Sequence, residues 1–449
     1  MTRMMGLFAL AMALGRGVLA AEPDAGVATV EARDTVRMRL SDAVERALAS
    51  SPQLAQRRAL ERVAAADARG ARAARLPSLD VSGGYTQQSN VPALSLMLPN
   101  GQTETLFPNL PENYRMRVGA GWVLFSGGRT SGLIRAADLE REASGRDLDA
   151  DRQDLIVETR TAYWSLVTAR QVQQVLQDAL AAYDSHLRDA GNRERLGMAA
   201  RNEVLAVRVE RDQAELAWLR AQNGAALSEA NLVRLTGLEP SRAIETAEPL
   251  TVPAGASDDI ETLVERALAQ RAERAALAAR LTAALARVRV EQGARWPQVT
   301  AAAGYDYANP NRRIMPYSAT WKDSWDAGVN LSLNLFDGGK VSAAVARARA
   351  RYDAIQAQLD DLSQRIRLQV TQRSLDLKAA VAAVAVAERG LDSARENQRV
   401  AADRYREGLI ASSDLLDAEV ALLRAGLTLT DALAQARLAE AGLERAIGR

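Results

Sequence analysis

The chain has 449 residues, 57 basic and 56 acidic, for a formal net charge of +1, so no global field draws it to nucleic acid. It contains no cysteine, which excludes disulfides, thiolate metal sites, a cysteine nucleophile and a lipid-bearing cysteine. Its single histidine, His186, argues against histidine catalysis and multi-histidine zinc sites, and on a helix it reads as a packing residue.

Met1 to Ala21 reads as a secretory signal, with Arg3, an apolar run from Leu7 to Leu14 and a small-residue cleavage site at Val18-Leu19-Ala20. That run is too short for a membrane anchor, and no later stretch is apolar enough to cross a bilayer as a helix. Any membrane insertion must therefore use strands.

The mature chain opens with a helix over about Ser41–Arg75, and Pro77 marks the change to a strand at Ser78–Gln87. There Leu79, Val81 and Tyr85 oppose Asp80, Ser82, Gly84 and Thr86. Beyond a loop, Gln88–Asn113, the strand Tyr114–Phe125 sets Met116, Val118, Ala120, Trp122 and Leu124 against Arg115, Arg117, Gly119, Gly121 and Val123, of which only Val123 spoils the polar face. Gly127 and Gly128 allow a tight turn into a helix of about Arg129–Leu196, roughly 100 Å long at 1.5 Å per residue. A turn at Arg195–Glu203 leads to a shorter helix, Asn202–Leu235. Leu238–Ser257, rich in proline and glycine, is the linker between a first repeat, 22–237, and a second, 258–449.

The second repeat restates the first. Val44 to Ala49 returns as Val264 to Ala269, and Arg75-Leu76-Pro77 as Arg295-Trp296-Pro297, displaced by 220 positions. Past the strand-connecting loops the displacement is 211, so Phe125-Ser126-Gly127-Gly128-Arg129 matches Phe336-Asp337-Gly338-Gly339-Lys340. Length changes collect between the paired strands, which makes Gln88–Asn113 and Ala308–Asp323 the outward loops. The repeat again predicts a helix (Asp258–Arg295), two strands, a long helix (Lys340–Glu407), a turn and a last helix (Ser412–Ile447). In the second long helix, Val341, Val345, Ala348, Tyr352, Ile355, Leu359, Leu362 and Ile366 step by four and three, a coiled-coil seam. The short helices sum in pairs to the length of a long one, so two lie end to end beside each. The Gly-Gly pairs lack the G-x4-G-K-[ST] spacing of a phosphate loop, so Gly338 and Gly339, like Gly127 and Gly128, serve only the strand-to-helix turn.

The strands of the second repeat alternate as cleanly. In Gln298–Tyr307, Val299, Ala301, Ala303, Tyr305 and Tyr307 oppose Gln298, Thr300, Gly304 and Asp306. In Ser324–Lys340, Trp325, Ala327, Val329, Leu331, Leu333 and Leu335 oppose Ser324, Asp326, Gly328, Asn330, Ser332 and Asn334. Such length suits a strand that is greasy toward lipid and wet toward a lumen, and most of the aromatics lie in or beside these strands, as in an interfacial girdle. Four strands cannot close a barrel, and an open edge in lipid costs several kcal/mol per unpaired group. At least two copies must therefore complete it.

With these elements in place, the chain resembles the TolC-like outer-membrane efflux proteins. The resemblance rests on LSDAVERALASSPQL from Leu40, the RLPSL and RWPQV strand entries, the FSGGR and FDGGK exits, and RYREGLIASSDLLDAE from Arg404. It implies a mainly α fold with a membrane β-barrel: a homotrimer whose four strands per chain close a twelve-stranded barrel in outer-membrane lipid, above a long α-helical coiled-coil barrel in the periplasm. It implies an exit duct of a tripartite pump or type I secretion system, no enzyme, no cofactor, and two partners, a periplasmic adaptor and an inner-membrane transporter. It places a periplasmic aperture at Asp414, Asp417, Tyr405 and Glu203, and adaptor-docking tips at Leu196, Gly197, Gly408 and Leu409. Ile410 and Glu194 depart from the family pattern, which puts its closed-state latch in doubt. A non-conducting periplasmic tether would explain the heptads but not the strands, and a hydrolase has only solvated acidic residues to offer.

Overall fold

The computed structural model describes residues 35–99, 101–253, 255 and 258–449, so the expected signal segment lies outside the described residues. β1 (Thr35–Met38) precedes α1 (Leu40–Ser50) and α2 (Pro52–Ala73). The single helix expected over Ser41–Arg75 is thus two. Ser51 is extended and its hydroxyl accepts from the Leu54 amide at 3.3 Å, while Pro52 stands at the first helical position, where no amide donor is needed.

β2 (Ser78–Gln87) and β5 (Glu112–Phe125) flank a small hairpin, β3 (Leu94–Met97) and β4 (Thr103–Phe107), which the loop reading did not foresee. α3 (Arg129–Arg195) and α4 (Arg201–Thr236) complete the first repeat. β6 (Ala243–Thr246), within the expected linker, pairs in parallel with β1. The second repeat runs α5 (Ile260–Gln270), α6 (Ala272–Gly293), β7 (Gln298–Asn309), β8 (Lys322–Ser332), α7 (Lys340–Arg406) and α8 (Ser412–Ala446). Here too the expected Asp258–Arg295 helix is broken, now without a proline. Arg271 at the break is extended and buried, and its guanidinium bridges Glu273 on α6 and Gln369 on α7.

Both long helices contain 67 residues, about 100 Å of rod. Short helices meet end to end beside them. A Cβ on Gly237, at the end of α4, would lie 2.6 Å from Ser50 Cβ, and one on Gly448 would lie 3.2 Å from Gln270. At the waist, Tyr163, Leu166, Leu232, Leu54, Met38 and Ile244 form the main core. The Tyr163 hydroxyl donates to the Met38 carbonyl at 3.2 Å, and burial pushes its pKa up to about 12. A second cluster gathers Leu263, Val264, Ile366, Val370, Leu377 and Leu443. The heptad residues from Val341 to Ile366 are all buried or half-buried, so the seam read from spacing faces its neighbour.

The larger sheet is antiparallel with order β2-β5-β7-β8, which leaves β2 and β8 as edges within the protomer. β8 ends at Ser332, sooner than its alternation suggests, because its partner β7 starts at Gln298, opposite Ser332. The apolar face carries exposed Leu79, Val81, Trp325, Val329 and Leu331. Among the described residues no helix is long and apolar enough to cross a membrane.

Candidate functional site: the helical tips and the strand–helix turns

The two helical tips are built alike. At the end of α3, Gly197 takes φ 74° and the Met198 amide donates to the Arg193 carbonyl at 2.8 Å; at the end of α7, Gly408 takes φ 73° and the Leu409 amide donates to the Arg404 carbonyl at 2.9 Å. This left-handed C-terminal cap satisfies carbonyls that the helix itself cannot. The next helices start with an acid three residues in. Glu203 accepts from the Ala200 amide at 3.5 Å and Asp414 from the Ala411 amide at 3.3 Å, each in the positive field of a helix N-terminus.

Asp414 and Asp417 are exposed, three apart on one face of α8. Leu196 and Leu409 are exposed as well. By the repeat, however, the counterpart of Leu409 is Met198, also exposed and missed in the sequence reading. Tyr405, expected at the aperture, is buried inside the protomer, with the Arg193 guanidinium 4.1 Å from its ring centroid. Arg193 also donates to the carbonyls of Tyr405 and Arg406, which ties the tip of α3 to that of α7.

Beneath Tyr405 lies a cluster that no local sequence signal announced. His186 on α3 is buried, its ring 5.3 Å from that of Tyr405. Glu419 can only accept as a carboxylate, so His186 Nδ1–H donates to its Oε2 at 2.8 Å, and in the neutral ring Nε2 accepts from the Ser412 hydroxyl at 2.9 Å. The packing reading of His186 stands, with the addition that it joins the first repeat to the second. Among the described residues no group of three or more His, Asp or Glu could hold a metal ion.

At the other end of the rods, all four turn glycines have positive φ: Gly127 60°, Gly128 83°, Gly338 65° and Gly339 88°. Ser126 and Asp337 cap the long helices that follow. The Ser126 hydroxyl accepts from the Thr130 amide at 3.2 Å, and the Asp337 carboxylate accepts from Val341 at 2.7 Å and Gly339 at 2.8 Å.

Paired rods joined to a sheet with two open edges and an uncovered apolar face are the geometry of a membrane duct. A sequence profile of the outer membrane efflux protein family matches residues 43–238 and 263–449. The chain belongs to the outer membrane efflux protein family. It is 27% identical over 381 residues to Protein CyaE of Bordetella pertussis, covering 85% of this chain and 77% of that one. It is 23% identical to the outer membrane protein TolC of Vibrio cholerae, covering 91% and 90%. The crystal structure of the outer membrane protein VceC from Vibrio cholerae superposes with a TM-score of 0.75 at 21% identity, covering 91% of this chain and 96% of that one. The family places this protein in the outer membrane with its helices in the periplasm. It is a transport channel and not an enzyme, and the tether and hydrolase readings fall.

Proposed function

We propose that three copies of this chain close into a ring that forms a passive exit duct, fed by an inner-membrane transporter through a periplasmic adaptor. The observation that carries the ring is a seam. Inside the protomer, α3 packs on α6: a Cβ on Gly132 would lie 2.6 Å from Val290 Cγ2, and Arg287 pairs with Glu140 at 3.1 Å. Shifted by the repeat, the same places on the open flanks are Ala343 on α7 and Gly70 on α2, and Arg351 and Asp67. Both relations are exchanged. The glycine moves from the long helix to the short one, and so does the acid. All four residues are exposed in the protomer, so α7 of one copy fits α2 of the next as α3 fits α6. The same operation would bring the β8 edge to the β2 edge of the neighbour and remove every open edge from lipid.

At the far end, the ring would gather Asp414 and Asp417 of each copy into an acidic aperture that favours cations. The capping role of Asp414 does not compete, since the cap uses one carboxylate oxygen. Leu196, Gly197, Met198, Gly408 and Leu409 would then form the notches against which an adaptor packs, with glycine allowing close backbone approach.

The chain has no cysteine of its own, so Gly70→Cys with Ala343→Cys tests the ring directly. Oxidation should give covalent trimers that need detergent for extraction and form cation-selective channels in planar bilayers. Recovery of monomers alone would refute the seam, and selectivity unchanged by Asp414→Ala with Asp417→Ala would remove the aspartates from the aperture.

A further inference from the structure

The polar face of the four-stranded sheet is strongly basic at the end where the long loops join. Register sets Arg115, Ala308 and Lys322 in one row across β5, β7 and β8, and Arg117, Asp306 and Ser324 in the next. Asp306, 5% exposed, accepts from Arg115 Nε at 2.6 Å and Arg117 Nη1 at 2.5 Å. Arg117 also forks onto Asp326 through two bonds of 3.1 Å.

The loop after β7 folds onto this face. Asn311, itself buried, donates from Nδ2 to the Lys322 carbonyl at 3.1 Å and to the Ser324 hydroxyl at 3.0 Å. Arg313 reaches Asp326 at 3.3 Å and the Trp325 carbonyl at 3.1 Å. Arg312 is held by neutral acceptors, Gln88 Oε1 at 2.6 Å and Asn113 Oδ1 at 3.0 Å. The level thus holds Arg115, Arg117, Arg312, Arg313 and Lys322 against Asp306 and Asp326. Glu112 and Asp323 lie on the opposite face by strand alternation. Of the groups at this level, Arg115, Arg117, Arg312, Arg313 and Asp306 border a cavity of about 570 Å³.

Amide acceptors fix the Arg312 guanidinium without neutralising it. Arg115 gives its carboxylate only the Nε–H, and its side chain is 61% exposed. Positioned guanidinium donors with uncompensated charge match the tetrahedral oxygens of phosphate groups, and rings of arginine line pores for such anions. We propose that this cavity binds multivalent oxyanions of the phosphate class, one site per protomer at the outer exit. The location rests on the ring reading, in which the polar face lines the lumen; the cavity itself is complete within one chain.

Inorganic pyrophosphate is the probe. Channels in phosphatidylcholine, whose headgroup carries no net charge, should be blocked reversibly, with about tenfold greater potency from the loop side than from the tip side. Arg115→Gln with Arg312→Gln should weaken that block by about tenfold, and Arg312→Lys by less, since it keeps the charge but not the fork. Raising salt from ~0.1 to ~1 M should weaken it too, as the Debye length falls from about 10 to about 3 Å. Phosphatidylglycerol in the bilayer should leave the block unchanged if free anions are the ligand, and reduce it if lipid phosphates occupy the site. Calorimetry of pyrophosphate with the detergent-solubilised protein separates the two readings. Binding without conducting channels would count against the ring alone. Equal block from both sides, undiminished block in the double variant, or conduction without measurable binding would overturn the site.

Discussion

Gly127 and Gly338 hold the same place in the two repeats, with φ of 60° and 65°. Their surroundings differ. A Cβ on Gly127 would lie 2.4 Å from the Gly293 carbonyl oxygen and 2.6 Å from Trp296 Cβ, whereas nothing lies within 4 Å of one on Gly338. The residues that would fill that space by the repeat are Ala73 and Leu76, at the opposite flank of the protomer, and Leu76 is 68% exposed. Both glycines are required by backbone conformation, but only one is also required by packing. The protomer therefore holds one finished seam and the two halves of another.

The largest test of that contrast is Gly127→Ala against Gly338→Ala. The first should cost about 3 kcal/mol, combining left-handed strain of roughly 1–2 with overpacking of roughly 1–3. The second should cost separated subunits about 1–2 kcal/mol, from strain alone. Denaturant midpoints in detergent give both; equal costs would mean that the Gly293 and Trp296 contact contributes nothing. A smaller effect is expected at the tips. His186→Ala would leave the buried Glu419 carboxylate unpaired, at about 1–3 kcal/mol. Its repeat counterpart Asn397 is exposed, so Asn397→Ala should stay within about 0.5 kcal/mol. Comparable losses for the two would mean that the buried cluster does not hold the repeats together.

The smallest expected effect separates the caps. Hydrogen bonds from the Val341 and Gly339 amides hold the Asp337 carboxyl below the usual aspartate range. A carboxylate with a depressed folded pKa contributes stability above its unfolded value, near 4, and loses it as pH falls through the folded one. Ser126 does not titrate in this range. Acidification below pH ~4 should therefore reduce amide protection at the start of α7 and leave that of α3 unchanged, and Asp337→Ser should abolish the difference. Parallel loss at both helix starts would show that the cap is not the cause.

Much of this architecture is written locally. β2 spans Ser78–Gln87 as alternation predicts, and the long helices stop within one residue of the expected ends because glycine caps mark them. The break at Ser51 was missed although it carries a local signal, a serine cap followed by proline, whereas the one at Arg271 carries none. That break depends on a guanidinium bridging two helices, a relation that spacing does not encode. β1 and β6 are four-residue strands paired across some two hundred positions, too short for periodicity to register. At the tips, Gly197 and Gly408 were readable as turns, whereas the capping bonds of Glu203 and Asp414 were not part of the aperture reading. The burial of Tyr405 and the role of His186 were not, since Ser412 and Glu419 are 226 and 233 residues from that histidine.

Beside the unbroken α3 runs a companion in two pieces, butted where Gly237 meets Ser50, and a matching butt joint falls at Gly448 and Gln270. Continuous timbers fix the distance between the two mouths. Joints confined to a single level would let the halves above and below turn against each other without changing that distance. In the ring we propose, an aperture at the tips would accordingly be worked by torsion, while the anchorage in lipid stays still.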